Sequence, residues 1–386
     1  MLAHSPSLPL IVDYFAQTHD LSTEDDEQLI LALKQRDRVS RIRLNAEQQK
    51  LIVAMDDEYP TLEYLIVVPT LGDNNTILKF LETLQAPHLR HLTLGGFALP
   101  IGSRLLTSAV GLVTLCLFMC HPSTYFHPNT LVQWISIMPQ LETLAIHFSL
   151  PVGRHDVERQ IMHTPITTLV TLPNLHYLSF DGVSTYLEAL LPRITAPRLE
   201  KLEIDFFLQF AFSVPRLQQL MNTTENIRFD SARFRFSDKR VSVALHLREV
   251  EMVPLVIAVD CWHLSSQVSS MAQISNSLGQ VFSAVEHLAL VYDAHSRFYK
   301  VHHAVNRTVW RELLRPFNGV NTFQIAEGLV GGLSRSLQLE NGELPLELLP
   351  ELQELTFPQE GNNGDAFTSF VSSRENAGRA VTLVRR

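Results

Sequence analysis

LRHLTL, residues 89–94, sets leucines at 89, 92 and 94. Leu92 and Leu94 are two residues apart, so both point to one face of a short strand, with His91 and Thr93 on the other. Leu89 lies upstream and can tuck beneath that strand. The same spacing recurs as LEYLIV (62–67), LVTLCL (112–117), LETLAI (141–146), LHYLSF (175–180) and LEKLEI (199–204). Weaker copies are Val39/Ile42/Leu44, Phe229/Ala232/Phe234, Val285/Leu288/Leu290, Val320/Phe323/Ile325 and Leu352/Leu355/Phe357. From position 39 to 229 the copies begin 23, 27, 23, 29, 34, 24 and 30 residues apart. One copy is too small to bury its own apolar face; stacked copies share a continuous core.

Proline punctuates the pattern. Pro60, Pro87, Pro139, Pro173, Pro197 and Pro350 each sit two residues before the first apolar position. Proline lacks an N–H and disfavours helix at the residue before it, so an arriving helix ends there. Helices are expected between strands at 22–38, 74–85, 129–138, 184–194, 213–222 and 307–314. Ser22 or Thr23 is expected to cap the first, with Glu24, Asp25 and Asp26 in its opening turn, and Ser213 to cap the fifth. The expected fold class is therefore α/β: a leucine-rich-repeat solenoid, a curved horseshoe with parallel strands on its concave face and helices on its convex face. Residues 1–20 read as an N-terminal segment with an edge strand near 9–14, and residues 21–386 as the repeat domain. Regularity lapses at about 229–290. There ARFRF (232–236) and VSVALHL (241–247) alternate like a hairpin turned by Asp238, Lys239 and Arg240, followed by a strand at 255–259 and a long helix at 265–282.

Composition narrows the function classes. With 31 Lys+Arg against 40 Asp+Glu the net charge is −9, and hydrophobic residues make up 46%. This is neither a disordered nor a collagen-like chain. A net anion is poorly suited to non-specific nucleic-acid binding. Apolar stretches such as 112–120 are about half a membrane span. Three cysteines, Cys116, Cys120 and Cys261, fit reduced thiols and a cytoplasmic or nuclear setting. Cys116, Cys120 and His121 fall short of the four ligands zinc requires, so no metal is expected. Phosphate loops, dinucleotide fingerprints and nucleophile elbows are missing from the sequence, so neither cofactor nor catalytic residue is expected. An α/β hydrolase is the remaining enzymatic alternative, and it demands a convergent Ser/His/Asp set.

Several long segments resemble the fungal (basidiomycete-type) F-box/leucine-rich-repeat proteins, in the region after the F-box. They are EDDEQLILALKQRDRVSRIRL (24–44), DEYPTLEYL (57–65), YLEALLPRITAPRLEKLEIDFF (186–207), WHLSSQVSSMAQISNSL (262–278) with VEHLAL (285–290), WRELLRPF (310–317) and LLPELQEL (348–355). The resemblance implies a substrate-binding part of a cullin-type ubiquitin-ligase receptor, with an unidentified target protein as partner. Residues 1–20 contain nothing like an F-box, so this chain by itself is not expected to bind the ligase adaptor; a complete receptor would need an F-box upstream.

On a horseshoe the outward strand positions form the concave, protein-binding face. They are Arg41, Arg43, Asn45, Tyr64, Ile66, His91, Thr93, Thr143, His147, Tyr177, Ser179, Asp181, Lys201, Glu203, Asp205, Ser231, Arg233, Arg235 and His287. Their charges run basic, acidic through Asp181, Glu203 and Asp205, then basic again at Arg233 and Arg235, a strip suited to a partner of complementary charge.

Overall fold

The computed structural model describes residues 8–14, 23–45, 49–55, 57–68, 78–96, 102–120, 126–149, 168–209, 211–224, 226–250, 253–293, 305–340, 342–358 and 365–385. The fold is mixed α/β and its strands are mostly parallel. The chain divides into two units, Met1–Leu199 and Glu200–Arg386.

The first unit contains β1 (Leu10–Tyr14), α1 (Thr23–Leu33), β2 (Val39–Asn45), α2 (Gln49–Val53), β3 (Tyr64–Val68), α3 (Leu78–Thr83), β4 (His91–Gly95) and α4 (Arg104–Ser108). It continues with β5 (Thr114–Cys120), α5 (Pro128–Ser136), β6 (Thr143–Phe148), β7 (Val170–Thr171), β8 (Tyr177–Gly182), α6 (Ser184–Leu190) and β9 (Ile194–Thr195). Seven strands pair in the order β1-β2-β3-β4-β5-β6-β8, all parallel, and β7 pairs separately with β9.

Register turns the repeat into a ladder. Ile42, Leu65, Leu92, Leu115, Leu144 and Leu178 oppose one another strand by strand, as do Leu44, Val67, Leu94, Leu117, Ile146 and Phe180. Of the eleven triplets, every member but Phe229 is buried. Each side chain buried this way contributes about 1.5–3 kcal/mol before conformational entropy is counted.

The copies also share a backbone device. Each carbonyl of Glu63, Arg90, Val113 and Glu142 accepts from two consecutive N–H groups at the start of the next strand. The carbonyls of Asp230, Glu286 and Asn321 do the same in the second unit. Before the strand, the N–H of Leu62, Leu89, Leu141, Leu175, Leu199 and Leu352 donates to the carbonyl three residues back. That closes a turn with proline at its second position, where a fixed φ near −65° is favoured. The prolines thus do more than end helices: they shape the entry to six of the strands, β3, β4, β6 and β8 here and two in the second unit.

The second unit contains β10 (Lys201–Phe207), α7 (Pro215–Thr223), β11 (Ser231–Ser237), β12 (Arg240–His246), β13 (Leu255–Asp260), α8 (Leu264–Ser277), α9 (Gly279–Phe282) and β14 (His287–Asp293). After these come α10 (Arg307–Leu314), β15 (Thr322–Ile325), α11 (Val330–Leu337), β16 (Glu354–Phe357), α12 (Thr368–Asn376) and β17 (Thr382–Arg385). Strand order is β10-β13-β12-β11-β14-β15-β16-β17. The expected hairpin is β11–β12, antiparallel, and β12 is also antiparallel to β13. The chain therefore leaves β10, skips two places, and returns through the hairpin to fill them. Apolar register persists: Ile204, Ile257, Val243, Phe234, Leu290 and Ile325 oppose one another in turn.

Several helix boundaries differ from the sequence reading. The first helix ends at Leu33 rather than 38; Arg38 turns back to Gln35 Oε1 at 2.7 Å and to the Leu8 carbonyl, so β2 can begin at Val39. Ser213 is not a cap. Pro215 takes the first helical position and Val214 the cap, its N–H held by Ser277 Oγ at 2.8 Å. The 265–282 helix breaks at Leu278. His127 and Asn306 cap α5 and α10 through Asn129 N and Thr308 N. Ser22, residues 74–77, the Cys120 side chain and His121, and the side chains of Thr23, Glu24, Asp25, Asp26 and Asn45 lie outside the described residues.

Candidate functional site

Because side chains alternate along a strand, burying the ladder turns every intervening residue to the opposite sheet face. In the first unit that face carries a register row of Arg41, Tyr64, His91, Thr114, Thr143 and Tyr177. At strand spacing, six positions span about 24 Å. The row is knitted laterally. Arg41 lies over the Tyr64 ring at 4.4 Å, Tyr64 and His91 have ring centroids 5.7 Å apart, and His91 Nδ1 is 3.1 Å from Thr114 Oγ1. Burial, helped by Arg90 and Arg41, holds the His91 pKa below its ordinary value, so the ring is neutral near pH 7.

The next row holds Arg43, Ile66, Thr93, Cys116, Ala145 and Ser179. Arg43 is tied to Asp13 of β1 at 2.9 Å. Ser179 is buried rather than presented: His147 Nε2 lies 2.8 Å from its hydroxyl, and the His147 ring packs edge-on against Phe118 at 4.8 Å. Asp181 opposes His147. Thr114 and Phe118 belong to the face although the sequence reading omitted them; their alternation with Leu115 and Leu117 was the available signal.

In the second unit the acidic and basic blocks are not neighbours. Lys201, Glu203 and Asp205 lie on β10, Arg233 and Arg235 on β11, and β13 and β12 intervene. Lys201 and Glu203 pair at 2.7 Å, and Arg235 is engaged by Asp293 at 3.2 Å. Asp205 bonds Arg240 of β12 at 2.7 Å. His287 Nδ1 is 2.7 Å from Thr322 Oγ1, the arrangement that His91 and Thr114 adopt in the first unit. The charge strip of the sequence reading is thus largely satisfied within the sheet itself.

Burial pushes the Asp205 carboxyl up to about 6, with Arg240 pulling against it and Asp260 adding to the rise. The folded state then holds this proton more tightly than the unfolded chain. Its stabilising contribution is complete below about pH 4 and is lost as pH climbs through 6, by about 3 kcal/mol. Asp205→Asn is expected to gain on the wild type between pH 4 and pH 7, read as urea midpoints at both values; an unchanged gap refutes the shift.

Burial raises the Cys261 thiol to about 12, with Asp260 adding to it, and raises Cys116 against a hydrogen bond from Thr93. Both stay protonated, so neither is a thiolate nucleophile near neutral pH. Ser231 lies between His246 and His287 in register, yet its hydroxyl donates to Asp230 at 2.6 Å. Among the described residues no cluster of three metal-ligating side chains occurs, and no helix is long and apolar enough to cross a membrane. No known family model matches the chain, and no curated protein matches it.

Proposed function

We propose that the chain is a leucine-rich-repeat solenoid acting as a non-catalytic protein-interaction scaffold, of the kind that holds targets in F-box ubiquitin-ligase receptors. The observation carrying this reading is the row from Arg41 to Tyr177: half-exposed aromatic and hydroxyl side chains in register on a rigid sheet face. Tyrosine and arginine are enriched where interfaces concentrate their binding energy. A sheet holds such groups in place, so little ordering entropy is lost on binding. The recurring strand-entry turn and shared carbonyl acceptor support the repeat assignment, because physically equivalent copies predict equivalent bonds. Reduced thiols favour a cytoplasmic or nuclear setting.

Photo-crosslinking tests this. A crosslinker at Tyr64 or Tyr177 is expected to trap a partner protein, whereas one at exposed Glu82 on α3 is not. Tyr64→Ala should weaken that partner about tenfold. Equal trapping from both positions, or trapping from Glu82 alone, defeats the reading.

A further inference from the structure

One concavity of the second unit's sheet face remains outside the ion-pair scheme above. It is open where Ala289 sits between Arg233 and Gln324 in register, and its edge is formed by His246 and Arg248. Alanine leaves room above the strand, and longer side chains stand around it. Among the described residues Arg233 and Arg248 make no ion pair, unlike Arg235 and Arg240 on the same two-stranded hairpin. Arg248 is positioned by its backbone: its N–H donates to Asp230 Oδ1 at 2.9 Å, and the same oxygen accepts the Ser231 hydroxyl. His246 Nδ1 is shielded from solvent and has no hydrogen-bond partner. His287 spends Nδ1 on Thr322, at 2.7 Å.

We propose that this concavity binds an acidic peptide segment, with a carboxylate of the peptide received between Arg233 and Arg248. The proposal rests on the interaction-scaffold reading and supplies the chemical class of one partner. Guanidinium groups recognise carboxylates through paired N–H donors, and their charge-assisted bonds are the strongest available on an open surface. The concavity also contains Glu354, whose carboxylate accepts from Thr356 Oγ1 at 3.1 Å. That negative charge, with Asp230 close by, favours a singly charged carboxylate over a doubly charged phosphate. The net charge of −9 likewise disfavours a polyanion such as nucleic acid. An extended peptide fits better than a compact ligand because the lining crosses five neighbouring strands, from His246 on β12 to Glu354 on β16.

Fluorescence anisotropy with a labelled peptide carrying three consecutive glutamates tests it directly. The glutamate peptide is expected to bind, and its glutamine counterpart at least about tenfold more weakly. Arg233→Ala and Arg248→Ala should each weaken the glutamate peptide about tenfold, and Arg104→Ala, exposed on α4 of the other unit, should leave it unchanged. Both cleft arginines are exposed, so folding survives their loss, and circular dichroism verifies that. Four results overturn the proposal: no binding up to about 1 mM, equal binding of the glutamine peptide, indifference to both arginine variants, or tighter binding of a phosphoserine peptide or a single-stranded oligonucleotide. If Tyr64 crosslinks a partner while glutamate peptides fail, only the acidic-peptide assignment falls.

Discussion

Arg374→Ala is expected to cost about 3–5 kcal/mol, enough to remove most of the stability of a domain at the low end of the ordinary range. The residue is fully buried on α12, and its guanidinium donates to four main-chain carbonyls: Pro350 at 2.9 Å, Leu349 at 3.0 Å, Leu352 at 3.3 Å and Leu348 at 3.4 Å. Those carbonyls belong to the segment leading into β16. Within it Leu349 has φ 50°, the one positive φ at a non-glycine residue among the described residues. Left-handed backbone at leucine is strained, and it persists here because one side chain ties the whole turn. Removing that side chain strips four acceptors of their donor in a buried place. Urea unfolding followed by circular dichroism measures the loss. Arg374→Met, which keeps the bulk and abolishes the donors, should be nearly as damaging as alanine; recovery of stability in the methionine variant would show that packing, not hydrogen bonding, is what matters.

Phe234→Ala is expected to cost a comparable 3–5 kcal/mol by opening a cavity in the second unit. Phe234 is fully buried, with ring centroids 5.8 Å from Phe317, 6.3 Å from Phe282 and 6.4 Å from Phe236. It also opposes Val243 and Leu290 on the flanking strands. A control lies in the same triplet. Phe229 occupies the first position yet is only half-buried, so Phe229→Ala should cost under about 1 kcal/mol. Denaturation followed by tryptophan fluorescence suits both variants, because Trp310 packs on Phe236 at 5.8 Å. Equal losses at 229 and 234 would contradict the burial pattern.

Phe229 also marks where the sequence stops being sufficient. Ten triplets were readable because apolar residues two apart on a strand need no distant information to be placed. The copy at 229 fails at its first position, where Phe229 is only half-buried while Ala232 and Phe234 behind it are buried. Local pattern revealed the hairpin at Asp238–Arg240, but pairing of β10 with β13 depends on residues about fifty positions apart. The outward face was legible from alternation, and its charge scheme was not. Arg235 is taken by Asp293, fifty-eight positions along the chain, and Arg248 follows a strand in a turn whose position is set by Asp230. His246 ends an apolar run, Val241, Val243 and Leu245, that reads as core and hides its polar ring.

The strand order of the second unit bears on how the chain is made. When β10 leaves the ribosome, its neighbour β13 is still about fifty residues from being synthesised, and the intervening hairpin cannot dock without it. At ordinary elongation rates that edge waits roughly 2–10 s. For that interval the nascent chain displays an unsatisfied row of amides beside Leu202, Ile204 and Phe206, a segment that holdase chaperones are suited to shield until translation delivers its mate.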